Sequence, residues 1–127
     1  MLKVFFVDKK SIDDRHIKPI TLEIEPDLDI YYELLECSMI DIVQRKIGDT
    51  YFDIICDDEG LFNEPVYVTA VNSKKEPMLV GSFIICHHDD EGNETSITED
   101  EANMIASHLG LCLRGDGTVG SYIVCEY

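Results

Sequence analysis

Two tripeptides constrain this chain more than any other feature. Ile54-Ile55-Cys56 and Ile84-Ile85-Cys86 each run directly into a carboxylate-rich turn. Both read as strands that run out of the apolar interior into acidic turns. The first enters Asp57-Asp58-Glu59-Gly60, the second His87-His88 and then Asp89-Asp90-Glu91-Gly92. The flanks of the two segments differ, so the likeness reads as convergent turn chemistry rather than duplication.

The remaining elements follow from periodicity and punctuation. Leu2 to Val7 is an apolar run expected as a buried strand, and Asp8 to His16 is polar and turn-like. Ile17 to Glu25 alternates through Ile20, Leu22 and Ile24 and reads as a half-buried strand stopped by Pro26. Asp27 is placed to cap a short helix through Glu36, with Leu28, Tyr31, Tyr32 and Leu35 on one face. Met39 to Ile47 and Tyr51 to Cys56, joined by Gly48-Asp49, form an expected hairpin. Val66 to Val71 alternates, and Met78 to Cys86 is the most apolar stretch, expected as one central strand with Val66 to Val71 as its partner. The clearest helix is Ile97 to Leu109: Thr98 and Glu101 form a capping box, Ile97 and Ala102 a hydrophobic staple, and Gly110 is expected at C′. Leu111 to Leu113 and Tyr122 to Cys125 read as a last strand pair around a Gly-rich turn. The expected fold is α+β: a small mixed or mainly antiparallel sheet with two helices packed on it, in one domain over residues 1–127.

The charge is unusual. Twenty-six carboxylates face ten Lys and Arg, a formal net charge of −16. Such a field disfavours direct contact with nucleic acid or an anionic membrane and favours basic protein surfaces. The first twenty residues are slightly basic, whereas 87–101 holds seven carboxylates and no Lys or Arg, so the acidity is expected as a patch. No apolar run reaches the roughly 20 residues of a membrane span. The start shows no secretory h-region with a cleavage site. The cysteines, Cys37, Cys56, Cys86, Cys112 and Cys125, are odd in number and widely spaced with no CxxC. They are expected as reduced, mostly buried thiols of a cytoplasmic protein rather than a disulfide framework or zinc ribbon.

Motifs for catalysis or cofactors fail one by one, and none is assigned. Cys86 to Asp90 holds metal-capable side chains, and His87, His88 and Asp89 are its weak candidate ligands. Neighbours on a strand, however, point to opposite faces and do not converge on one ion. Neither acidic turn is an EF-hand loop: aligned on Gly92 the first and last ligand positions are His87 and Thr98, and aligned on Gly60 the first is Ile55. Gly115 to Gly120 matches GxGxxG, but a strand rather than a helix follows it, so it reads as a hairpin loop. No GxSxG elbow occurs, and no cysteine has a motif-level histidine partner. His108 is expected at the edge of the helix's apolar face, near the C-terminus that favours it.

The stretch from Asp27 to Leu109 resembles a domain-of-unknown-function family common in bacterial phages, plasmids and integrative elements. The residues carrying the resemblance are Asp41-Ile-Val-Gln-Arg-Lys-Ile-Gly48, Tyr51 through Leu61, Glu76 through Gly81, Ile84 through Cys86, and Asp90 through Glu101. The resemblance implies a mobile-element accessory protein and supplies no catalytic residue; the C-terminal strand extension, 110–127, looks less typical of it. Together with the acidity it leads to a non-enzymatic binding protein, an inhibitor of a basic, nucleic-acid-binding defence enzyme of the host, of the anti-CRISPR or anti-restriction type. Its contacts are expected from Asp57, Asp58, Glu59, Asp89, Asp90, Glu91, Glu94, Glu99, Asp100 and Glu101, standing in for phosphates. The alternatives are a metal-ion or small-molecule sensor built on residues 86–91, and a plain structural or oligomeric module. Set against the inhibitor reading is the bland one, in which these carboxylates only solvate the surface.

Overall fold

The computed structural model describes residues 1–8, 20–59, 66–113 and 119–127. In chain order the elements are β1 (Leu2–Val7), β2 (Ile20–Ile24), α1 (Leu28–Leu35), β3 (Ile40–Ile47), β4 (Thr50–Asp57), β5 (Val68–Val71), β6 (Pro77–Val80), β7 (Phe83–His88), β8 (Glu94–Thr95), α2 (Glu99–Ser107), β9 (Leu109–Leu113) and β10 (Val119–Val124). The class is mixed α and β, dominated by antiparallel strands. Where one sheet was expected, there are two. The larger has the order β2-β1-β7-β4-β3 with β8 added to β7; the smaller has the order β6-β5-β10-β9. Among the described residues only the β5–β10 pair is parallel. The expected GxGxxG loop and the polar turn after Asp8 lie outside the described residues, apart from their ends.

The two Ile-Ile-Cys segments are neighbours. β4 and β7 pair antiparallel with Ile54 opposite Ile85 and Ile55 opposite Ile84. Both faces of this pair are covered, which is why the runs do not alternate. On one face Phe52, Ile54, Phe83 and Ile85 share a core with Ala102 and Ile105 of α2 and with Ala70 and Ile123 of the smaller sheet. On the other, Ile55, Ile84 and Cys86 share a second core with Tyr31 and Leu35 of α1.

The apolar run from Met78 to Cys86 is two strands, not one. Gly81 takes φ +76°, a left-handed conformation that glycine tolerates, and the chain passes there from the smaller sheet to the larger. The switch is pinned locally: the Gly81 N–H donates to the Tyr67 carbonyl (2.9 Å) and the Thr69 hydroxyl donates to the Gly81 carbonyl (2.6 Å). The expected partner, β5, pairs with the first half only.

Both helices begin where their caps predict. Asp27 accepts from the Asp29 N–H (2.8 Å), and Thr98 and Glu101 complete a reciprocal capping box (2.9 and 3.1 Å). Ile97 and Ala102, the staple pair, are both buried. The second helix ends earlier than expected: His108 is its C-cap, and Gly110 lies in β9 rather than at C′. The Tyr122 ring of β10 occupies the space over Gly110, where a Cβ would sit 2.3 Å from it. β8 had no sequence signal, being two residues long.

The C-terminal extension is an integral part of this fold. β10 is interior to the smaller sheet, and Ile123 and Cys125 lie in the shared core. Glu126 then exchanges two backbone hydrogen bonds with Lys46 of β3 (2.7 and 2.8 Å), tying the two sheets together. Among the described residues no helix is long and apolar enough to cross a membrane.

Candidate interaction surface

The antiparallel pairing of β4 and β7 decides how the carboxylates are arranged. The C-terminal end of β4 lies beside the start of β7, since Cys56 is opposite Phe83. The two acidic turns that follow these strands therefore leave the sheet from opposite ends, roughly 20 Å apart at about 3.4 Å per residue. The ten expected contact residues do not form one patch.

The first group lies at the end where β7 meets β8 and α2 begins. Asp89 closes the turn by accepting from the N–H groups of Glu91 and Asn93 (both 2.9 Å), and Gly92 takes φ +82°. The Asn93 N–H, followed by that of Glu91, holds the Asp89 carboxyl below its usual range. Glu101 is occupied by the capping box and by His87, whose Nε2 is 2.5 Å from it. Burial opposes its ionisation, but the Thr98 N–H and His87 outweigh burial and keep its carboxyl below the ordinary value. Glu99 is paired with Lys3, which lowers its carboxyl. Glu94 is half-buried, and it and Asp27 both act on Tyr31, whose hydroxyl is raised by burial and then by these charges. Asp90, Glu91 and Asp100 are exposed, and their side chains make no hydrogen bond to another described residue.

The second group gathers more acids than expected. Asp57 accepts from the Glu59 N–H (2.9 Å), and Asp58 and Glu59 are exposed. An open cleft of about 450 Å³ there is lined by Asp57 and Glu59 together with Glu33, Glu36 and Cys37 from the end of α1. Glu33 and Glu36 belong to this acidic end, but nothing in their local sequence points across the fold to Asp57.

The histidine pair diverges, as strand geometry requires. His87 stacks on Phe52 with ring centroids 4.8 Å apart and faces Glu101. His88 projects to the opposite side and pairs with the buried Asp53, which also accepts from Gln44 (3.3 Å). With Asp89 committed to its turn, His87, His88 and Asp89 do not converge, and no cluster of three or more such ligands occurs among the described residues. His108, at the C-cap, is hydrogen-bonded through Nδ1 to the Met104 carbonyl (2.9 Å). Burial pushes the Cys56 and Cys125 thiols up to about 11 and Cys86 up to about 12, so all three are held as neutral thiols near pH 7.

A family model described as a domain of unknown function, DUF3846, matches residues 10–110. The chain belongs to this family. No curated protein and no solved structure matches it. The family match stops where β9 begins, so most of β9 and all of β10 lie beyond it although they complete the smaller sheet.

Proposed function

We propose that this DUF3846 member is a non-enzymatic binding protein, an accessory protein of a mobile element. It acts in the cytoplasm by occupying the basic, nucleic-acid-binding surface of a host defence enzyme, of the anti-CRISPR or anti-restriction type. One observation carries the reading: at the β7–β8–α2 end, Asp90, Glu91 and Asp100 are exposed and their side chains pair with no described residue, on a turn and a helix start that are fixed by Asp89 and by the capping box. Carboxylates on a rigid frame present charge at little ordering cost, and a net charge of −16 steers a basic partner toward them. At this end Glu99 engages Lys3.

The test is capture from a bacterial host lysate at low and high salt, followed by competition with duplex DNA. The expected result is recovery of a nucleic-acid-binding protein that salt releases and DNA displaces. A partner that binds this chain and DNA at the same time contradicts mimicry. Recovery of a chelator-released metal ion with the pure protein favours the sensor instead.

A further inference from the structure

The smaller sheet is built from a different kind of sequence. Segments 66–80 and 109–127 carry Lys74, Lys75 and Arg114 against Glu76, Asp116 and Glu126, so they are electroneutral and the whole charge of −16 lies elsewhere in the chain. The outer face of this sheet is an apolar groove of about 520 Å³ lined by Val68, Val71, Pro77, Leu111, Tyr122 and Val124 among others. At one edge lies β9, Leu-Gly-Leu-Cys-Leu, with no second strand neighbour among the described residues. Leu111 is 47% and Leu113 78% exposed.

The backbone of that edge is phased for pairing. The Val124 N–H donates to the His108 carbonyl (3.0 Å), and the register continues regularly to Leu113 opposite Val119. In an antiparallel ladder hydrogen-bonded and non-bonded pairs alternate, so Gly110 and Cys112 bond to β10 while Leu109, Leu111 and Leu113 direct their N–H and C=O groups outward. A five-residue apolar edge with three outward donor–acceptor pairs and no charge is a template for another strand.

We infer that β9 is a self-association edge whose occupant is β9 of a second copy. A two-fold axis at Leu111 sets Leu111 opposite its counterpart and Leu109 opposite the partner's Leu113, joining two four-stranded sheets into one of eight strands. Charge selects this place. Two copies of −16 repel over the rest of their surface, and the neutral sheet is where they approach at least cost. The exposed carboxylates Asp58, Glu59, Asp90, Glu91 and Asp100 lie outside this edge.

Sedimentation velocity over a concentration series tests this, at about 0.1 M and about 1 M salt, where the screening length falls from about 10 Å to about 3 Å. The expected result is a monomer–dimer equilibrium that tightens as salt rises, the reverse of binding through the carboxylates. Leu111→Lys and Leu113→Lys, both at exposed positions, are expected to weaken dimerisation at least about tenfold, because lysine on an edge blocks strand addition. Their far-ultraviolet circular dichroism is expected to stay that of the parent. A monomer under all conditions overturns the inference. So does a dimer that survives both substitutions, or an edge that takes up a foreign extended peptide but not its own copy.

Discussion

The two sheets solve different problems. In the larger, the central pair β4 and β7 is covered on both faces and is apolar without alternation; apart from the buried Asp53 of β4, which pairs with His88, charge appears where those strands end. The smaller lends one face to the shared core and leaves the other as an apolar groove, with its charges balanced. A strongly acidic chain thus need not be acidic everywhere. Carboxylates gather at the two ends of the β4–β7 pair, where they close turns and cap α2, and charge is balanced where the second layer offers an open face.

The largest effect that sharpens this contrast is in the core. Ile85 is fully buried between the sheets, and Ile85→Ala is expected to cost about 3–4 kcal/mol in urea unfolding. Leu111→Ala on the open side of the smaller sheet is expected to cost less than about 1 kcal/mol. Equal losses would mean that the outer face is as covered as the core.

Next is Gly110→Ala, whose new Cβ meets the Tyr122 ring at 2.3 Å and is expected to cost about 2–3 kcal/mol. In the Tyr122→Leu background the same substitution is expected to cost much less, a coupling readable in a double-mutant cycle. Thr98→Ala, removing the N-cap oxygen of α2, is expected to cost about 1 kcal/mol.

The smallest effect is electrostatic. Glu101 has a folded-state value below its unfolded one, so its stabilisation is complete above the ordinary glutamate value of 4.5 and is lost as pH falls through the lower folded value. Wild type is therefore expected to melt above Glu101→Gln near pH 6. The gap should close below pH 4.5; a gap that widens there contradicts the assignment.

What the sequence discloses is what is local. Both helix starts are legible because a cap acts across three residues, and the Gly48-Asp49 hairpin because the turn sets the register of Ile47 opposite Thr50. The break at Gly81 is hidden, since glycine in an apolar run reads as a bulge and the contacts that pin it come from Tyr67 and Thr69. The split of the acidic residues is hidden for the same reason: it follows from pairing 53–56 with 83–86, a non-local event. Similarly, Lys3 reaches Glu99 across almost the whole chain, removing one of the expected contact carboxylates.

The two acidic turns leave the larger sheet at opposite ends of its strands, so they are separable by mutation. The direct measurement is binding of the captured partner to two charge-reversed variants, one with Asp90, Glu91 and Asp100 changed to Lys, the other with Asp58 and Glu59 changed to Lys. Loss of binding in the first variant with retention in the second is the predicted result. Full binding by the first variant, at low salt and with the fold intact, would contradict it.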